Sequence, residues 1–284
     1  MDSMNGIPLH QIPRDVIEDA GRTVSDFAIG FVALRENEAG ERAQLGGSGT
    51  LVQVDGTYGI LTAHHVLRHL PDGPEIGLII VTRFNPMLHR VTLRREAVRR
   101  LLIAKGDCDS EGPDLGVLLL SEVDVAALRT WKSFYNLPLH LEGVLGNPPA
   151  LNEGVWLLCG FAGELTAEHG PDRGFASVMV FHGQCGAGWV EREYSVGDFD
   201  YFDFEARYGG ADEPPQSFRG FSGAGLWQAR LTRTPEGALR AEQPILSGVA
   251  FYESDLADAR RIIRCHARRS VYANVVESVR NVAF

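Results

Sequence analysis

The chain predicts an all-β protein with room for two packed β-barrels, and three observations support this. Its 284 residues are enough for two barrels of roughly 100 residues each plus terminal extensions. It carries 32 glycines, and its apolar residues fall in many short runs broken by turn-forming residues, as strands require and long helices do not. At 44% hydrophobic and 23% charged, it has the composition of a soluble globular chain.

The elements follow in order. Residues 1–22 form an N-terminal extension in which 13–20 predict a short helix ended by Gly21. The first barrel is expected over 23–125. Residues 23–34 are apolar at Phe27, Ile29, Phe31 and Ala33, a period of two. Leu51-Val52-Gln53-Val54, Asp55-Gly56 and Tyr58-Gly59-Ile60-Leu61 read as a hairpin with an Asp-Gly turn. Residues 77–82, 91–93 and 115–120 supply further strands. Residues 126–153, with Trp131, Pro138, Pro148 and Pro149, read as an irregular linker after one short helical piece near 123–128. The second barrel is expected over 154–256, with strands at 155–159, 176–181, 198–205, 225–227 and 245–251. The run Asp198-Phe199-Asp200-Tyr201-Phe202-Asp203-Phe204-Glu205 reads as a strand with its aromatics inward. In 257–284, Val271, Val275 and Val279 repeat every fourth residue and predict a C-terminal helix packed on the second barrel.

Charge and cysteine usage exclude several classes. Net charge is −10 and the basic residues are scattered, so no footprint for a nucleic acid is present. Arg94 to Arg100 is mixed in sign and reads as a solvated face. Lysine occurs only at Lys105 and Lys132, a bias consistent with a GC-rich bacterial genome. No basic stretch leads into an apolar core at the N-terminus, and no run approaches the roughly 20 apolar residues of a membrane span, so neither secretion nor a membrane partner is expected. Cys108, Cys159, Cys185 and Cys265 form no Cys-x-x-Cys pair, which signals neither zinc nor a disulfide framework; a reducing, cytoplasmic location is expected. Asp107 to Gly112 opens like a calcium loop, but its closing ligand would fall on Leu118, so no metal or other cofactor is expected.

Three residues carry candidate chemistry. Phe218-Arg219-Gly220-Phe221-Ser222-Gly223-Ala224-Gly225 sets a serine between glycines. Leu61-Thr62-Ala63-His64-His65-Val66-Leu67 places histidines after an apolar strand, and Pro113-Asp114-Leu115-Gly116-Val117 puts an aspartate at the head of a strand. A serine hydroxyl needs a base to take its proton and a third group to orient that base. Each residue alone has an ordinary explanation; Gly47-Ser48-Gly49 is a second Gly-Ser-Gly run in the same chain. The order His, Asp, Ser separates this set from α/β-hydrolases and subtilisins.

On these residues the chain resembles the chymotrypsin/trypsin-like serine peptidases. Gly47-Ser48-Gly49-Thr50-Leu51-Val52 followed by Gly59-Ile60-Leu61-Thr62-Ala63-His64-His65 is similar to the family's first-barrel hairpin, and the Asp114 and Ser222 segments are similar to its other two blocks. The resemblance implies two six-stranded antiparallel barrels. It implies His65 as base, Asp114 as its orienter, Ser222 as nucleophile, and the amides of Gly220 and Ser222 as oxyanion donors. His64 stands where the family has alanine. Gln216, six residues before the serine, would line the pocket for the side chain preceding the scissile bond, so an acidic pocket for basic residues is not expected. The strand 248–251, with Gly248 and Phe251, would pair with an extended substrate. Phe221, Ala224 and Gly225 depart from the family, and Phe221 excludes the ion pair by which a liberated N-terminus activates its zymogens.

The expected function is therefore a serine endopeptidase acting on a peptide or protein substrate. Narrow specificity or an activating protein partner is expected, because neither a zymogen switch nor an export signal protects the host. A catalytically silent peptide-binding module of the same fold is the alternative, supported by the three departures. An esterase with the same triad differs only in substrate.

Overall fold

The Asp55-Gly56 turn organises the first half of the molecule. Asp55 and Gly56 take positive φ (48° and 87°), and Val54 pairs directly with Thr57, giving a two-residue turn whose twist matches the strands it joins. The computed structural model describes residues 7–282 except 38–39, 81–88, 108–109, 166, 170–177, 181–182, 208–216 and 256–260. Its strands are β1 (Ala28–Asn37), β2 (Gly40–Val54), β3 (Thr57–Thr62), β4 (Glu75–Ile80), β5 (His89–Arg94), β6 (Arg99–Lys105), β7 (Asp114–Leu119) and β8 (Tyr135–Asn136) in the first half. β9 (Val155–Phe161), β10 (Ala167–His169), β11 (Val178–Val180), β12 (Gly183–Val196), β13 (Phe199–Arg207), β14 (Gly225–Ala229), β15 (Leu231–Arg233), β16 (Leu239–Ala241), β17 (Ile245–Glu253) and β18 (Ile262–His266) follow.

The second half is a closed six-stranded barrel in the order β12-β13-β18-β17-β14-β9. Its core holds Trp156, Leu158, Phe202, Phe204 and Leu226. The first half is a sheet in the order β5-β4-β1-β2-β3-β7-β6, with β8 added in parallel to β2. Where two closed barrels were expected, one closed barrel and one sheet open between β5 and β6 are found among the described residues. Those two edges carry Arg90 and Arg94 on one side and Arg99, Arg100 and Lys105 on the other, and like charges disfavour pairing them. Residues 81–82, 176–177 and 181 of the expected strands lie outside the described residues, while Val178–Val180 of the strand expected at 176–181 forms β11.

Several expectations are corrected. The N-terminal helix α1 (Arg14–Ser25) runs through Gly21, which lies against Cys185, and ends four residues later. After α2 (His64–Arg68) in the first half, α3 (Glu122–Arg129) is the short helical piece expected near 123–128, but the stretch read as an irregular linker also holds α4 (Leu137–Gly146). Ser121 and Asn136 side chains accept from Asp124 N–H and Leu139 N–H to cap the latter two. The sixth barrel strand, β18, lies inside the 257–284 segment read as helical.

The acidic residues of β13 are not on a solvated face, because neighbours cover both sides of the strand. Asp200 accepts from Arg269 N–H, Ser270 N–H and Ser270 Oγ, each at 2.7 Å, and so caps the C-terminal helical segment. Asp203 lies between Arg192 Nη2 (2.6 Å) and Arg264 Nε (3.0 Å). The C-terminal segment is a π-helical turn (Ser270–Val275) continuing into α5 (Val276–Arg280). It touches both halves, not the second barrel alone: Tyr272 meets the Tyr135 hydroxyl at 3.2 Å and Arg280 pairs with Asp55 at 2.7 Å. Its Val271, Val275 and Val279 join a shared core with Val52, Leu61 and Trp227. Among the described residues, no helix is long and apolar enough to cross a membrane.

Candidate active site

β3 ends at Thr62, and Ala63 turns the chain into the single turn of α2, which carries His64 and His65. Beside β3 lies β7, with Thr62 opposite Gly116, so Asp114 at the start of β7 comes level with α2. The His65 N–H donates to Asp114 Oδ1 at 2.9 Å and His65 Nδ1 meets Oδ2 at 2.5 Å. A carboxylate only accepts, so the proton of this contact sits on Nδ1 and leaves Nε2 as the basic nitrogen. Burial alone would raise the Asp114 carboxyl. The hydrogen bonds from the His65 ring and backbone, with the charges of His65 and His266, outweigh it and hold the group below the usual carboxylate range.

His64, the neighbour in question, interacts with the Ala104 backbone, and burial lowers its pKa. It is not the residue bonded to Asp114.

Ser222 lies in the loop before β14. Gly220 (φ 100°) and Gly223 (φ 90°) flank it in the left-handed region that a side chain resists. A Cβ on Gly223 would fall 2.0 Å from both Ser48 O and Thr62 Oγ1. Two hydrogen bonds orient the peptides. The Arg219 carbonyl accepts from Gly163 N–H at 2.7 Å, so the Gly220 N–H of that peptide points the opposite way. The Phe221 carbonyl accepts from Ala224 N–H at 2.7 Å, which turns Ser222 N–H in the same manner. Phe221 itself is buried, edge-on to Phe218 with ring centroids 5.4 Å apart.

The loop is locked by a residue that sequence reasoning set aside as an ordinary glycine-rich turn. Ser48, fully buried, donates its hydroxyl to the Gly220 carbonyl at 2.7 Å and accepts from Phe161 N–H at 2.8 Å. Its own N–H donates to the Ser222 carbonyl at 2.8 Å, and its carbonyl accepts from Thr62 Oγ1 at 2.7 Å. One residue of β2 thus ties the serine loop to the strand that leads to His65. Ser48→Ala strands a carbonyl and an amide in the interior, for an expected loss of about 2 kcal/mol, read from denaturant midpoints.

His65, Asp114, Gly220, Ser222 and Phe251 line one cleft of about 390 Å³. Among the described residues no hydrogen bond joins the Ser222 hydroxyl to the His65 ring. Gly248 is not in the cleft. At Gly248 and Val249, β17 already pairs with β14, and a Cβ on Gly248 would meet the His266 carbonyl at 2.4 Å, leaving no room for a substrate. The cleft is lined further along β17, by Phe251, Tyr252 and Glu253, beyond the last residue paired with β14. Gln216 lies outside the described residues. Glu253, not singled out in the sequence, bonds Ser217 Oγ at 3.1 Å, Phe218 N–H and Arg261 Nη1 at 3.4 Å, and so holds the base of the serine loop.

The barrel also grips the loop before Asp114. Arg264 bonds the Ser110 carbonyl, and Gly112 fits so closely against Phe251 and Tyr201 that a Cβ would come within 3.1 Å of each. The Asp114 N–H donates to His266 Nε2 at 2.9 Å.

No protein-family model matches the chain, and no curated protein matches it. A similar solved structure comes from work on how aromatic interactions drive the coupled folding and binding of the intrinsically disordered Sesbania mosaic virus VPg protein. It is 12% identical over 89% of this chain and 91% of that one, at a TM-score of 0.46.

Proposed function

We propose that this chain is a serine endopeptidase of chymotrypsin-like arrangement, in which the open sheet stands for the first barrel and the closed barrel for the second. The observation that carries the reading is the Asp114–His65 pair in one cleft with Ser222, each half of the molecule supplying one side. Ser222 attacks the carbonyl of a peptide bond and His65 Nε2 takes its proton. Asp114 keeps the imidazole in the required tautomer and stabilises its cation. The Gly220 and Ser222 amides receive the oxyanion, since neither meets an acceptor among the described residues. His65 then returns the proton to the leaving amine, and water releases the acyl group by the same steps.

The stretch of β17 at Phe251–Glu253 has no β14 partner, so an extended peptide or protein substrate can add there as a strand. Buried Phe221 supports a turn that needs no liberated N-terminus. Restraint then falls to narrow specificity or a partner protein. Cys159, Cys185 and Cys265 are free thiols, which supports a reducing, cytoplasmic setting.

The missing Ser222–His65 hydrogen bond favours a second reading, a silent peptide-binding module, although such bonds often tighten only with substrate bound. Fluorophosphonate labelling at neutral pH separates the two. The endopeptidase labels as wild type and not as Ser222→Ala or His65→Ala. Absence of label on the wild type, with saturable peptide binding, supports the module and rejects the enzyme.

A further inference from the structure

His266 ends β18 and is fully buried. Its ring lies among three aromatic rings, with centroids 4.8 Å from Phe251, 5.2 Å from Tyr201 and 5.7 Å from Phe199. Nε2 accepts the Asp114 backbone N–H at 2.9 Å, and a ring nitrogen that accepts carries no proton. The neutral ring must therefore hold its proton on Nδ1, which is buried without a hydrogen-bond partner among the described residues. An enclosed, half-satisfied histidine is costly to keep unless it does something a phenylalanine would not. What sets it apart here is its acceptor on Asp114, the residue that orients His65.

From this geometry we infer that His266 is a positioning residue: in its neutral form it fixes the backbone of Asp114, so the half bearing Ser222 sets the His65–Asp114 geometry in the other half. The inference rests on the triad reading for its effect on rate, though not for its effect on the His65–Asp114 bond. Protonating His266 replaces the acceptor with a donor and releases Asp114. The groups facing it are the carboxylates of Asp114 on β7 and Asp200 on β13, both of which favour its charged form; burial opposes them and prevails. The Tyr201 hydroxyl belongs to one of the covering rings, and Cys265 and Arg264 precede it on its own strand.

The test compares wild type with His266→Phe, which keeps a ring and loses the acceptor, and His266→Gln, which restores one. In long-range proton–nitrogen NMR of the wild type at neutral pH, His266 is expected with Nδ1 protonated and Nε2 bare. The low-field proton of the His65–Asp114 bond should move or broaden in His266→Phe and return in His266→Gln. Fluorophosphonate labelling should fall between about tenfold and a hundredfold in His266→Phe, with near-UV circular dichroism unchanged, and recover in His266→Gln.

A protonated Nε2 in the wild type, or a low-field proton unmoved in a folded His266→Phe, overturns the inference. If His266→Phe does not fold, the wild-type tautomer and the response of the low-field proton to acid titration of His266 decide it. A wild type that takes no label sinks the hydrolase reading while the NMR comparison still decides this one.

Discussion

Asp114→Asn is expected to lower both fluorophosphonate labelling and peptide hydrolysis by about 10⁴-fold while leaving the fold intact. The two carboxylate oxygens are used separately: Oδ1 takes the His65 backbone N–H at 2.9 Å and Oδ2 the ring Nδ1–H at 2.5 Å. An asparagine has one acceptor and one donor. The backbone N–H cannot accept, so it takes the amide oxygen, and the amide NH₂ is left facing Nδ1. The ring can then only accept at Nδ1, which moves its proton to Nε2, where it blocks receipt of the Ser222 proton. The negative charge that stabilises the imidazolium is also lost. Near-wild-type labelling by a folded Asp114→Asn protein would reject Asp114 as the orienter.

Acidification is expected to destabilise the protein well above the range where ordinary carboxylates titrate. Burial lowers His266 from the usual 6.5 to about 4. Between those values the unfolded chain binds a proton that the folded chain refuses, so stability is fully present above about pH 6.5 and drains away as the pH falls to about 4. A shift of this size corresponds to about 3 kcal/mol. Asp114 acts in the same direction at lower pH: its folded pKa is depressed, so its contribution is present above the ordinary carboxylate value and lost as pH falls through the folded one. Urea midpoints at neutral pH and near pH 4.5 should differ by much more in the wild type than in His266→Gln, which cannot titrate there. An equal acid loss in both proteins would remove His266 as its source.

Legibility in the sequence followed the range of the interactions. The β-class, the Asp55-Gly56 hairpin, the α1 helix and the period-two strands were readable because each depends on residues a few positions apart. The same holds for the placement of His65 just past a strand and Asp114 at the head of one. His65, Asp114 and Ser222 were named from residue type, chain order and the family resemblance, and Gly220 from the resemblance alone; the structure brings all four to one cleft. Where the reading failed, distant chain decided the outcome. Alternation placed the aromatics of β13 inward but carried no sign of what covers its acidic residues: the C-terminal segment, some 70 residues on, covers Asp200. Gly248 was assigned to the substrate by the family resemblance, but pairing with β14 had already used that part of the strand.

The residues overlooked follow the same rule. Ser48 reaches Gly220 across 172 positions and Phe161 across 113, and His266 reaches Asp114 across 152. A Gly-Ser-Gly run and a histidine at a strand end carry no local mark of such partners. By itself, then, the sequence determined which groups could take part in the chemistry, because side-chain type and short-range backbone preference are properties of the chain wherever it lies. Only the tertiary structure decided which of them meet and what holds them there. A hydrogen bond between distant segments exists only once both halves have packed, and its partners are chosen by the geometry of that packing.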